Sequence, residues 1–155
     1  MTYAITGLDP AQFQPLFGLS DAELAKRGVI RKTVTEKPGF PCRITLEDPE
    51  VGETVLLMNY ESHTADTPYR SAYAIYVREA ATAPARLTDE LPQVFANRPI
   101  ALRIFNADGM LVGATLARGA DIDAAIRGAF ESPEASYIHA HNAAHGCFSA
   151  RIDRT

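Results

Sequence analysis

Cysteine and lysine are both scarce in this sequence. Its two cysteines, Cys42 and Cys147, are too few for a disulfide framework, and they read as free thiols. Lysine occurs only at Lys26, Lys32 and Lys37, and the basic residues form no run. With 15 Lys and Arg against 19 Asp and Glu, the formal net charge is -4. That balance leaves no electrostatic footprint for a nucleic-acid backbone or an anionic membrane surface. Long apolar stretches are missing too, none approaching the roughly 20 residues that cross a bilayer. The opening Met1-Thr2-Tyr3-Ala4-Ile5-Thr6-Gly7 has neither the basic start nor the apolar run of a signal peptide. The expectation is a cytoplasmic protein with no nucleic-acid partner and no membrane partner.

Several catalytic signatures are also absent. Gly109, Gly113 and Gly119 do not form a dinucleotide fingerprint, and there is no phosphate-binding P-loop. No Gly-x-Ser-x-Gly elbow occurs, which excludes the usual α/β-hydrolase site. No Cys-x-x-Cys knuckle is found, and the acidic turn of Asp48, Glu50 and Glu53 lacks the pattern of a calcium loop.

What is present fits one globular domain. A chain of 155 residues, 46% hydrophobic and 22% charged, is long enough to bury a core and too apolar to be disordered. No repeat, low-complexity tract or linker divides residues 1–155. Tyr3 to Thr6 reads as a short strand. Asp9-Pro10-Ala11-Gln12 and Ser20-Asp21-Ala22-Glu23 are capping boxes opening short helices, with Gly28 as a C-terminal stop. Phe13, Leu16, Phe17, Leu19 and Leu24 supply the core contacts of this segment.

Val29 to Thr35 alternates as a strand, with Ile30 and Val34 on one face, until the rigid Pro38-Gly39-Phe40-Pro41 turn leads into Cys42. Glu53 to Tyr60 is apolar enough to be a central strand, and Ser71 to Glu79 is a tyrosine-rich one. Thr88 is placed to cap a short helix from Asp89 to Ala96. Ile100–Asn106 and Met110–Ala117 flank Ala107-Asp108-Gly109 as a hairpin. Asp121 to Phe130 has the clearest helical period, with Ile122, Ala125, Ile126, Ala129 and Phe130 on one stripe. Hairpins dominate, and strands do not alternate regularly with helices. The fold class is therefore α+β, a largely antiparallel β-sheet built from hairpins with a few short helices packed on it.

Four motifs occur in a recognisable order. They are Pro38-Gly39-Phe40-Pro41-Cys42-Arg43, Gly52-Glu53-Thr54-Val55-Leu56-Leu57, Thr67-Pro68-Tyr69-Arg70, and Ile138-His139-Ala140-His141-Asn142-Ala143 with Gly146-Cys147-Phe148. From about Leu19 to Arg154 the chain resembles the bacterial family catalogued as domain of unknown function 1203. The resemblance implies one domain and a bacterial source, and it transfers no catalytic residue.

Groups able to do chemistry gather between Tyr137 and Ile152, which holds three of the four histidines and one cysteine. If Tyr137–His141 and Cys147–Asp153 pair across a loop from Asn142 to Gly146, His141 lies opposite Cys147 and His139 opposite Ser149. Tyr137, His139, His141, Cys147, Ser149 and Arg151 then share a polar face, while Phe148, Ala150 and Ile152 face the core. A loop shorter by one residue would mix the two sets, so burial selects the first register.

That face supports several readings. The leading one is binding of a small anionic molecule by Arg70 and Arg43, with Tyr69, Tyr73, His139, His141 and Asn142 beside them, and with Cys42 and His63 within the same candidate site. The structural alternative for Arg70 is an ion pair with Glu61 or Asp66. A second reading makes Cys147 a catalytic nucleophile assisted by His141. A third is a metal site, since His139 and His141 lie ~6.7 Å apart along a strand, with Cys147, His145, His63 or Cys42 as further ligands. In a fourth, the chain is an interaction module whose exposed strand edge pairs with a partner or with a second copy as a homodimer.

Overall fold

Nine strands and two α-helices make up the computed structural model, which describes residues 1–155. In chain order they are β1 (Tyr3–Thr6), α1 (Asp21–Ala25), β2 (Ile30–Thr33), β3 (Thr54–His63), β4 (Ser71–Arg78) and β5 (Arg86–Thr88). Then come β6 (Ile100–Phe105), β7 (Leu111–Ala117), α2 (Asp121–Phe130), β8 (Tyr137–Asn142) and β9 (Phe148–Arg154). The strands form a six-stranded sheet in the order β5-β1-β9-β8-β6-β7 and a three-stranded sheet in the order β2-β3-β4. Every pairing within them is antiparallel. The fold is α+β and sheet-dominated. No helix is long and apolar enough to cross a membrane.

Two apolar clusters hold the sheets. On one face of the large sheet, Ile138, Ala140, Ala150 and Ile152 pack with Ile122, Ile126 and Phe130 of α2. The helical stripe read from the sequence is the buried one. The second cluster joins Leu56, Met58, Ile75 and Val77 of the small sheet to Phe13 and Leu24. Leu16, Phe17 and Leu19 pack against it as partly buried neighbours. Ser20 caps α1 as its sequence predicts, its Oγ accepting from Glu23 N at 3.2 Å. The Asp9 box forms only in part. Asp9 accepts from Ala11 N at 2.9 Å, whereas Gln12 Oε1 is taken by Tyr60 Oη at 2.9 Å.

Two local expectations give way to tertiary pairing. The helix from Asp89 to Ala96 is reduced to a 3-10 turn over Gln93–Phe95, and Thr88 ends β5 instead of capping anything. The Asp89 N–H donates to Tyr3 O at 3.0 Å, and its carboxylate accepts from Tyr3 N at 3.2 Å. Both groups that would start a helix are thus spent on β1. The strand expected over Val29 to Thr35 shortens to β2, an edge strand whose Ile30 is 55% exposed.

The register of the terminal hairpin also differs. Ile138 faces Ile152 and Ala140 faces Ala150; His139 faces Arg151 where Ser149 is expected, and His141 faces Phe148 in place of Cys147 because the register shifts between Ala140 and His141. A β-bulge over Phe148 and Ser149 accounts for the shift. Arg151, Ala150 and Ile152 keep their expected faces. Phe148 crosses to the histidine side, its ring centroid 5.0 Å from that of His139, and Cys147 falls outside the strand. Parity counting assumes strict alternation, and one extra residue inverts everything beyond it.

Where the N-terminal chain leaves β1 it crosses the backbone of the Cys42–Ile44 segment. The Gly7 N–H donates to Ala85 O at 2.9 Å and the Leu8 N–H to Arg43 O at 2.8 Å. A Cβ on Gly7 would stand 1.9 Å from Ile44 O, a contact that only backbone movement relieves. Gly7→Ala is expected to cost about 2 to 3 kcal/mol, the upper range for overpacking. The check is a lower urea midpoint at unchanged slope. An unchanged midpoint would mean that the crossing has slack.

Candidate functional site

On the histidine face of the large sheet His139 and His141 are buried, while Arg151 stays at the surface. Tyr137, His139 and His141 of β8, with Arg103 and Phe105 of β6, meet His63, Tyr69 and Tyr73 from around β3 and β4. His63 Nε2 lies 2.7 Å from Tyr137 Oη and its Nδ1 3.1 Å from Tyr69 O, while its ring stacks on Phe105 at 4.2 Å. His139 is 3% exposed, and its Nδ1 has no hydrogen-bond partner. Burial, reinforced by the nearby His63 and Arg151, holds its pKa down at about 3. His141 is held at about 4 by burial, partly opposed by the bond from its Nδ1 to Gly146 O at 2.9 Å. Burial also lowers the pKa of His63. These rings are neutral packing elements at pH 7.

No group of three or more His, Cys, Asp or Glu side chains is arranged to hold one metal ion. Although the rings of His139 and His141 lie 6.5 Å apart, their nitrogens do not converge with other ligands. Cys147 makes no hydrogen bond to His141; its sulfur is contacted by Arg43 and Asn142. Cys42 is fully buried, its sulfur accepting from Ile44 N and Thr45 N at 3.4 Å and from Arg78 N at 3.2 Å. It satisfies the backbone donors of a tight turn. Arg70 lies at the surface in an ion pair with Glu61, and Tyr69 contributes its backbone carbonyl to His63.

A cavity of about 590 Å³ opens elsewhere, where the β8–β9 turn meets β4 and the Pro38–Arg43 turn. Its lining includes two arginines and no carboxylate. Exposed Pro38, Gly39, Asn97 and His145 surround the mouth, whereas Pro41, Arg43 and Asn142 are buried. Arg98 is neutralised by a bidentate pair with Asp48, at 2.7 and 3.0 Å. Arg43 is not. It is 2% exposed and has no carboxylate partner. Nε donates to Phe148 O at 2.8 Å, Nη1 to Pro41 O at 2.6 Å, and Nη2 to Cys147 Sγ at 3.1 Å. A guanidinium carries five N–H donors, so two remain unspent. Burial pushes the Arg43 pKa below its ordinary value, opposed by the adjacent Cys147 sulfur.

Asn142 completes this floor. It is 6% exposed, its Nδ2 lies 3.8 Å from Cys147 Sγ, and its Oδ1 has no partner. The backbone that presents these groups is tight, with Asn142 N donating to Cys147 O at 2.9 Å and Gly146 N to Asn142 O at 2.7 Å. Gly146 adopts φ 79°, which a side chain would resist. Of the residues singled out from the sequence, Arg43, Asn142, Cys147, Tyr73 and His145 therefore meet at one cavity. Arg70, Tyr69, His139, His141, Cys42 and His63 do not line it. Arg98 and Asn97 went unnoticed, because no motif marks them. The Pro38–Arg43 motif did carry a signal, since a rigid turn delivers Arg43 to the interior.

Comparison with protein-family models matches residues 39–154 to the family described as "Protein of unknown function (DUF1203)". The match covers more than half of the chain. The chain belongs to this family. As a DUF1203 protein it contributes most of the cavity, from Gly39 through Cys147, within the matched stretch. Neither the comparison with curated proteins nor that with solved structures finds a match.

Proposed function

We propose that this protein binds a small anionic molecule, held in the cavity at the β8–β9 turn with Arg43 as its charge anchor. One observation carries the reading: a guanidinium that is 2% exposed, has no carboxylate partner and lines a cavity of about 590 Å³. An isolated buried charge costs several kcal/mol in desolvation. Three neutral acceptors offset part of that cost, and an anion on the two unspent N–H groups would offset more. The volume suits a molecule of metabolite size. Tyr73, Tyr76 and Leu57 give the walls a partly apolar character, so the ligand would carry a carboxylate or phosphate head on a modest body.

The anchor is thus Arg43 in place of Arg70, whose charge is already met by Glu61 at the surface. Calorimetric titration at pH 7 with acetate, succinate and inorganic phosphate tests the reading. Saturable one-to-one binding of at least one of them is expected, unchanged in Arg70→Ala. No saturable binding of any of the three, or loss of binding in Arg70→Ala, would overturn it.

A further inference from the structure

The atom of the cavity best suited to covalent chemistry is in direct contact with the proposed anchor. Cys147 Sγ lies 3.1 Å from Arg43 Nη2 and lines the same cavity. We propose that Cys147 is a nucleophile toward the anion held at Arg43, and that the substrate class is a small carboxylate bearing an electrophilic carbon beside its carboxylate. This inference rests on the anion-binding reading above.

Position supplies the first reason. A carboxylate on the unspent N–H groups of Arg43 would sit about 3 Å from the guanidinium nitrogens. Its α-carbon would then stand beside a sulfur that touches the same guanidinium, so that one short shift brings the reacting atoms to the roughly 3 to 3.5 Å of a near-attack arrangement. Arg43 thereby orients the electrophile and faces the sulfur with positive charge. Asn142 supplies the second reason, independently of the cysteine. Its side chain is more than nine-tenths buried, lies beside Sγ and lines the cavity, yet its Oδ1 has no hydrogen-bond donor. Such an acceptor is costly unless a ligand N–H or O–H meets it.

The step is a displacement. The thiol proton leaves to solvent, the sulfur electron pair forms the S–C bond, and the bond from carbon to its leaving group breaks, the leaving group departing with its electron pair. No oxidant or reductant enters. His141 takes no part, because its Nδ1 is bonded to Gly146 O and it lies outside the cavity.

Iodoacetate and iodoacetamide separate this proposal from ordinary thiol chemistry, because they share a leaving group and differ in charge. Their alkylation rates on the full-length native chain at pH 7 are compared with those on the same chain unfolded in urea. Mass spectrometry locates the label. In the native chain the iodoacetate-to-iodoacetamide rate ratio is expected to exceed the unfolded ratio by about tenfold or more, the range of electrostatic guidance at a charged cleft. The label should fall on Cys147 alone, since Cys42 is 0% exposed. A native ratio no higher than the unfolded one, or label on Cys42 in the native chain, overturns the inference. Calorimetry on the unlabelled wild-type chain tells the two failures apart. Retained binding of acetate or succinate with a failed rate ratio removes the nucleophile and leaves the anion site standing. Loss of both removes the anion site as well.

Discussion

Arg43→Met is expected to weaken binding of the best anion among acetate, succinate and inorganic phosphate by roughly 2 to 5 kcal/mol. That is about thirtyfold to several thousandfold, the usual result of truncating one partner of a buried charge-assisted pair. Methionine keeps much of the side-chain length and removes every donor. Its effect on stability without ligand is a contest between two terms. Phe148 O and Pro41 O each lose a buried donor, at about 1 to 3 kcal/mol apiece. Relief from an uncompensated buried charge returns several kcal/mol. The two terms largely cancel, so unfolding in urea should change far less than binding does. Arg43→Lys provides the companion test. Lysine keeps the charge but cannot bridge two carbonyls and a sulfur with a rigid fork. Binding should be partly retained in it, and wild-type affinity in either variant would contradict the assignment of the anchor.

Acid should unfold this protein earlier than its carboxylates alone predict. His139 and His141 have folded pKa values of about 3 and about 4, below their ordinary value of 6.5. The native state keeps both neutral, so below pH 6.5 the unfolded chain binds more protons than the folded one. Their contribution is fully present above pH 6.5 and is lost as the pH falls toward the folded values. Each histidine costs about 1.4 kcal/mol per pH unit in that window. Between pH 6.5 and 4.5 the pair removes roughly 5 kcal/mol, a large part of the 5 to 15 kcal/mol that ordinary domains possess. The lowered pKa of His63 acts in the same direction.

Carboxylates work lower down. Glu79, held at about 2 chiefly by Arg31, contributes stability that is lost only as pH falls below its ordinary value of 4.5. The interval from 4.5 to 6.5 therefore isolates the histidines. Urea unfolding measured across it should show proton uptake of about two per molecule on unfolding, reduced by about one in His139→Leu. Stability independent of pH over this interval would mean that the rings are hydrated or already charged in the native state.

Much of the fold was legible because local pattern and tertiary context agree. Asp121–Phe130 has a helical stripe, and that stripe is the one α2 buries against the large sheet. The β6–β7 hairpin follows from alternation on either side of Ala107-Asp108-Gly109. Context overrode pattern at Thr88, where pairing with β1 outcompeted a helix cap. The β9 bulge was invisible for another reason. It changes the count of residues along a strand without changing their types, so composition alone reads the polar set as one face. The buried face of β8 looked like a polar surface because histidine and tyrosine rings, when neutral, pack between two sheets as readily as they face water.

The candidate site was partly legible in the same sense. Cys147 and Asn142 belong to the histidine-rich stretch, and Arg43 to the proline-bounded turn, so their residue types were noticed. Their convergence was not, because Arg43 reaches Phe148 O across 105 residues of sequence. Arg70 stood out more on the page, following a Pro-Tyr turn. Antiparallel pairing of β3 and β4 brings Glu61 to it and satisfies its charge at the surface. A cation is informative when it is buried without an acid, and only the fold reveals which arginine that is.

The most direct measurement is a titration of the arginine Nε–H resonances in a proton–nitrogen correlation spectrum at pH 7, with inorganic phosphate and then succinate as the added anion. The Arg43 signal, protected by its bond to Phe148 O, is expected to shift saturably with at least one of them, while the Arg98 signal, paired with Asp48, moves little. Saturable shifts at surface arginines such as Arg70 with none at Arg43 would contradict the account.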